Sequence, residues 1–268
     1  MTKTVLITGG NRGLGLALVR CFAGSGGNPE SSTGSIGGSS GGTKVDWNVL
    51  ATSRNLDFLP KDLNILAYPL DLQHSEDVEH LVHLLVVSNT IENPIKIDLL
   101  IHNAGFNPKD IKDDEGHMFF DSTFYVKHFS ALNVAECCKV NALHPMELTG
   151  KLLSNGLLSD SCIVLGLSSW LGSITNKDFP GHYGYAGSKA LFNMCLKGLA
   201  LEFAKDPDTS RCAIALNPGW MATDMGGANA EQTPEQVAKA IYDMVMDDGY
   251  LLGQNGKFLN VDRTEHAW

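Results

Sequence analysis

The chain has 268 residues, 43% of them hydrophobic and 19% charged, enough apolar material for a sizeable core and too much for a disordered chain. Twenty Lys and Arg against thirty Asp and Glu give a net charge of −10, which argues against nucleic acid or an anionic membrane surface as the main partner. A chain of this length reads as one large domain spanning 1–268.

Taken in order, Thr4 to Thr8 reads as a strand that runs into a glycine-rich turn. The helix after it carries Leu14, Ala17, Leu18, Cys21 and Phe22 on one face. Residues 24–44 then change character: eight glycines and six serines fill 14 of 21 positions, the composition of a flexible surface insertion. Strands are predicted at 48–52, 65–70, 97–102, 162–167, 212–216 and 258–261. Helices are predicted at 75–87, over much of the region ending near Ser154, and at 185–204. Thr233-Pro234-Glu235-Gln236 opens a further helix, with Thr as cap, Pro in the first position and Gln placed for a capping box.

No run approaches the roughly 18 apolar residues of a membrane span, and Met1–Val5 leaves no room for a signal peptide. The six cysteines lack zinc-site spacing, so no metal is expected, and several sit in apolar runs where Cys acts as a small hydrophobe. Reduced thiols in a cytoplasmic protein fit this pattern. Alternating strands and helices imply an α/β fold: a single doubly wound, Rossmann-like domain with a mostly parallel sheet and helices on both faces. Ligands bind such folds at the carboxyl ends of the strands.

Three of those strand ends, and one helix, carry notable residues. Thr8-Gly9-Gly10-Asn11-Arg12-Gly13-Leu14-Gly15 places three spaced glycines before a helix N-terminus, where free backbone N–H groups favour a pyrophosphate. The second strand ends in Arg54 where an acidic residue would hold a ribose 2′-OH. With Arg12 it suits a 2′-phosphate and favours NADPH over NADH. Ser168-Ser169-Trp170-Leu171-Gly172 follows the fifth strand. Tyr185-Ala186-Gly187-Ser188-Lys189 then sets a phenol and an ammonium one helical turn apart. A lone Tyr-x-x-x-Lys usually marks a helix surface; after a serine at a strand end it points to acid–base chemistry, with the ammonium lowering the phenol pKa.

The glycine loop, the Ser and the Tyr-x-x-x-Lys set resemble the short-chain dehydrogenase/reductase family nearly end to end, apart from the Gly/Ser insertion. The finer motifs resemble its C-factor- and sniffer-type carbonyl reductases. The resemblance implies catalytic roles for Asn141, Ser169, Tyr185 and Lys189, with Asn141 holding a water that links Lys189 to solvent. Ser168 is the alternative to Ser169 and reads better as loop support. The implied NADP(H) contacts are Gly9, Asn11, Arg12, Gly13, Leu14 and Gly15 in the first loop, and Arg54 after the second strand. Asp71 and Leu72 follow the third, Asn103, Ala104 and Gly105 the fourth. Tyr185, Lys189, Pro218, Gly219 and Thr223 complete the set. Asp71 reads equally well as an ordinary turn residue, and His102, in place of the family's Asn, reads as structural. The 16 residues from Ser169 to Tyr185 are expected to bulge over the site. The loop from 106 to 127, with Asp113, Asp114, Glu115 and several aromatics, departs from the pattern. Trp170, Phe179, His182, Trp220 and Met221 are candidates for a substrate wall.

The function implied is NADPH-dependent reduction of an aldehyde, ketone or quinone, with a small-molecule carbonyl as partner and a homodimer or homotetramer allowed. The alternative is an NADP(H)-binding signalling or sensor protein with little turnover.

Overall fold

The computed structural model describes residues 2–24, 45–90, 94–107, 111 and 118–268. Most of the Gly/Ser-rich stretch and Asp113, Asp114 and Glu115 lie outside the described residues.

Seven strands form one sheet: β1 (Thr2–Ile7), β2 (Asp46–Ser53), β3 (Ile65–Pro69), β4 (Ile97–His102), β5 (Leu158–Leu167), β6 (Cys212–Asn217) and β7 (Phe258–Asn260). Their order is β3-β2-β1-β4-β5-β6-β7 and every pairing is parallel, so the expected mostly parallel sheet is wholly so. The near-continuous apolar runs have a direct cause: all six residues of β6 and the last four of β1 are buried, because helices cover both faces. The edge strand β3 is the exception, and its Leu66 is exposed.

Alternation along the strands sorts the core into two layers. Leu6, Leu50 and Leu100 pack against Val78, Leu81, Leu148, Leu152, Phe192 and Leu196. These come from α2 (Ser75–Ser88), α5 (His144–Ser154) and α6 (Tyr183–Phe203). Val5, Ile7, Val49, Leu99 and Ile101 pack against Leu14, Leu18 and Phe22 of α1 (Gly13–Ala23), and against Val237 and Ile241 of α7 (Pro234–Met246). Cys137, Cys162 and Cys212 are buried, and burial raises the pKa of each, which keeps the thiols inert.

The predicted helical region before Ser154 resolves into α3 (Phe119–Phe124), α4 (Ala131–Cys138), a π turn over Lys139–Leu143, and α5. β5 begins four residues before the predicted strand. Its polar Ser159-Asp160-Ser161 hides the start, and the register with β4 shifts there, between the Ile97 and Leu99 pairings.

The chain order reverses between β1 and β4, so their carboxyl ends diverge and open a crevice, the usual ligand position in open α/β sheets. The predicted capping box on α7 is present. Thr233 Oγ1 accepts from the Gln236 N–H at 3.2 Å, and Gln236 Oε1 accepts from the Thr233 N–H at 2.9 Å. Thr233→Ala should therefore lower unfolding stability by about 1 kcal/mol in denaturant titration, with Thr233→Ser close to wild type. Equal stability of all three proteins would show that the cap contributes nothing.

Candidate active site

A cleft of about 870 Å³ lies over the β1/β4 switch point. Gly9, Asn11, Arg12, Gly13, Leu14, Gly15, Arg54, Asp71, Leu72, Asn103, Ala104, Gly105, Tyr185, Lys189, Pro218 and Thr223 all line it. Gly219, Asn141 and Ser169 do not, although each adjoins the lining. Thr52, Phe106, Asn107, Ile111 and Met225 line it as well and were not singled out in the sequence. Only Phe106 and Asn107 lie close behind a strand end, that of β4, where the sequence offered a signal.

The floor is built by tying two strand ends together. Thr8 Oγ1 accepts from the N–H groups of Asn103 and Ala104 at 3.0 and 3.1 Å. The Asn103 amide donates back to the carbonyls of Thr8 and Gly9 at 2.8 and 3.1 Å. Gly15 must lack a side chain, because a Cβ there would sit 2.0 Å from the Gly9 carbonyl oxygen and 2.5 Å from Asn103 Nδ2. The glycine loop thus lies flat on the N-terminus of α1, which has no acidic residue in its first turn and no side-chain cap. That is a vacancy in hydrogen bonding suited to an anion.

Two cations flank this end. Arg54 is exposed and has no ion-pair or hydrogen-bond partner among the described residues. Arg12 differs from the expectation that it accompanies Arg54: its Nη1 lies 3.0 Å from Asp224 Oδ2, on the loop after β6. Both side chains are well exposed, so the pair is worth at most about 1 kcal/mol and is open to exchange. Asp71 accepts from the Gln73 N–H at 3.0 Å, the local turn bond, and lines the cleft as well. Thr223 Oγ1 accepts from the Gly226 N–H at 3.1 Å, which leaves its hydroxyl proton to donate.

At the other end of the cleft lie the phenol and the ammonium. Lys189 is 3% exposed and has no carboxylate partner among the described residues; its Nζ donates to the Leu167 carbonyl at 2.7 Å and lies 5.8 Å from the centre of the Tyr185 ring. Burial lowers its pKa to about 8. The sequence led us to expect that Lys189 would lower the Tyr185 pKa. The structure reverses the sign: burial pushes the phenol up to about 12, with a hydrogen bond to Ser169 acting in the opposite direction. Desolvation is the larger of the two effects, and the Ser169 hydrogen bond the smaller. That contact with Tyr185 also separates the two serines. Ser168, 3% exposed, lines the cleft with its hydroxyl unpartnered among the described residues. Ser169 is the one that meets the phenol.

Asn141 sits in the π turn, 1% exposed. Its Oδ1 accepts from the Phe106 N–H at 2.7 Å, and its amide donates to the Phe106 carbonyl and to Ser188 Oγ, both at 2.9 Å. Ser188 in turn donates to the Tyr185 carbonyl at 2.7 Å. The side-chain amide is thus engaged by protein groups and pins α6 to the loop after β4. His102 is structural: burial lowers its pKa to about 3, and Nε2 lies 2.7 Å from Thr149 Oγ1.

Of the five substrate-wall candidates, Met221 lines the cleft and the other four do not. Trp170 and Phe179 pack on each other at 5.5 Å, and His182 packs among Phe120, Phe124 and Phe179. The Trp220 indole donates to the Gly226 carbonyl at 2.8 Å. Nor does the 170–182 segment line the cleft as expected; its Ser173 hydroxyl donates to the Trp268 backbone oxygen at 3.2 Å. No helix among the described residues is long and apolar enough to cross a membrane.

A family model described as short chain dehydrogenase matches residues 43–234. Short chain dehydrogenase gsfK of Penicillium aethiopicum is 28% identical over 294 residues, covering 100% of both chains. The structure of carbonyl reductase Sniffer of D. melanogaster superposes with a TM-score of 0.76 at 25% identity, covering 100% of both chains. That of an NADPH-bound carbonyl reductase from chicken fatty liver gives 0.74 at 22% identity, covering 100% of this chain and 99% of the other.

Unfolded, Lys189 keeps its proton to about pH 10.5; folded, only to about pH 8. Between those values the unfolded chain binds more protons, so this residue's contribution to stability rises with pH. Denaturant unfolding of wild type should gain on that of Lys189→Met across this window, by on the order of 3 kcal/mol. Parallel pH curves for the two proteins would contradict the burial of an unpaired ammonium.

Proposed function

The chain belongs to the short chain dehydrogenase family, and from that premise we propose that it is an NADPH-dependent carbonyl reductase built as one domain over residues 1–268. What carries the proposal is that Ser169, from just behind the cleft lining, meets Tyr185, which lines the cleft together with the buried Lys189.

The residues present fit a nicotinamide dinucleotide. The uncapped α1 N-terminus and the side-chain-free cradle at Gly9 and Gly15 suit a pyrophosphate. The unpartnered Arg54 suits a 2′-phosphate, with Arg12 able to join it by releasing Asp224. Lys189 spends one proton on Leu167 and has two left for sugar hydroxyls. Thr223 has a hydroxyl proton for a carboxamide oxygen.

When bound, the reduced nicotinamide supplies a hydride to the carbonyl carbon. The protein's part is the oxygen. Tyr185, raised to about 12 by burial, is fully protonated at neutral pH and is placed to give its proton to the oxygen as negative charge develops there. Ser169 donates a hydrogen bond to the same oxygen. Lys189, with a pKa near 8, exchanges protons readily in the neutral range and resupplies Tyr185. The same residues serve both directions, because the phenolate that reduction leaves is the base that oxidation of the alcohol needs. Asn141 holds α6 in place rather than touching the reacting atoms. A sensor without turnover leaves the Ser169–Tyr185 contact with no task, which weighs against that alternative.

Tyr185→Phe should abolish NADPH oxidation with a panel of aldehydes, ketones and quinones while binding NADPH as wild type does. Retained turnover would remove Tyr185 from the chemistry. Arg54→Ala should weaken NADPH by about tenfold or more, the worth of a charge-assisted bond, and leave NADH nearly unchanged. Equal losses for both cofactors would show that Arg54 does not meet the 2′-phosphate.

A further inference from the structure

We propose that Trp268 and Ser173 form a positioning strap: the C-terminal segment holds the turn that carries Ser169 against the helix that carries Tyr185 and Lys189. The inference rests on the reading of Ser169 as the group that binds the substrate oxygen.

The turn is short and close to the reacting groups. Ser169 opens a 3₁₀ turn over Trp170–Gly172, and its Oγ accepts from the Leu171 N–H at 3.2 Å. Gly172 lies flush on α6: a Cβ there would sit 3.0 Å from both the carbonyl carbon and the Cβ of Lys189. Asn193 on α6 donates to the Gly172 carbonyl at 3.3 Å. A shift of this turn therefore moves Ser169 relative to both Tyr185 and Lys189.

What holds the turn from behind comes from far along the chain. The Trp268 backbone oxygen accepts from Ser173 Oγ at 3.2 Å and from the Thr175 N–H at 2.9 Å. Ser173 is 2% exposed, and its Oγ also accepts from the Asn176 N–H at 3.1 Å. The position of that oxygen is set by the Trp268 ring. The ring packs on Phe258 at 5.5 Å between centroids, and the Lys197 ammonium lies 5.7 Å from its centre. Phe258 is fully buried in the sheet core, and the His266 N–H donates to its carbonyl at 2.7 Å. Force thus runs from the core through Phe258 and Trp268 to Ser173, and from there to Ser169. The bonds go to the segment between Ser169 and Tyr185, which explains why that segment turns away from the cleft.

The test combines hydrogen exchange over residues 168–176 with steady-state carbonyl reduction for Trp268→Ala, Trp268→Phe and Ser173→Ala. Trp268→Ala and Ser173→Ala should speed exchange in that segment. They should lower kcat by about tenfold or more, the scale of a small misplacement of a catalytic group, with NADPH affinity unchanged. Trp268→Phe, which keeps an aromatic ring on Phe258, should restore both. Wild-type exchange in both disrupted variants would overturn the strap. Faster exchange and a lower melting temperature with wild-type kcat would reduce it to core packing and overturn the positioning role. Should the wild type reduce no carbonyl at all, the reading of Ser169 fails separately, and the exchange rates alone then decide whether the strap exists.

Discussion

The removal of water from one corner of the cleft is the constraint on which the site depends. It acts on two groups of opposite chemistry. Lys189 is buried with no carboxylate beside it among the described residues, so its surroundings lower its pKa and leave the Leu167 carbonyl as its anchor. Tyr185 is half-buried next to it, and what covers it raises the phenol's pKa. Poor solvation disfavours the charged form of each, and the result is an acid that keeps its proton beside an ammonium that exchanges one near neutral pH. An ion pair at this place would have fixed the lysine's charge and removed that exchange.

The fold makes the corner dry and the rest of the cleft open. α6 lies across the sheet with Ser188, Lys189 and Asn193 facing inward, an unusual set for a buried helix face. Each meets a different neighbour: Ser188 meets Asn141, Lys189 the end of β5, and the Asn193 amide nitrogen the turn after Ser169, while Asn193 Oδ1 has no partner among the described residues. The polar face is therefore a docking code that sets the helix by hydrogen bonds as well as by packing. The π turn that delivers Asn141 belongs to the same device, since the extra residue in the turn re-aims a side chain within a continuous helical run. At the opposite end, the Thr8 and Asn103 ties hold the glycine loop open without occupying the N–H groups at the start of α1.

Much of this was legible because it is local. The i,i+4 spacing of Tyr185 and Lys189, the glycines before α1, the Thr233 cap and the strand ends all depend on neighbours within a few residues, and the sequence displays them. The start of β5 was hidden because Ser159, Asp160 and Ser161 break the apolar run. What escaped was non-local. Asn141 meets Phe106 and Ser188 from 35 and 47 positions away, and Ser173 meets Trp268 from 95. Arg12 finds Asp224 across 212 positions. The aromatics taken for a substrate wall pack on one another, a preference that composition does not reveal. The sign of the Tyr185 shift was misread for a related reason. The sequence shows that a cation is near, but not how little water reaches either group.

The central claim is that desolvation, rather than the ammonium one helical turn away, sets the pKa of Tyr185. The most direct measurement is the ultraviolet titration of tyrosinate in the wild type and in Tyr185→Phe, with the difference between them assigned to this one phenol. The account predicts a difference signal that rises only as the pH approaches about 12. A difference signal that develops between neutral pH and the ordinary phenol value of 10.0 would contradict it, and would return the site to a phenolate held by its lysine.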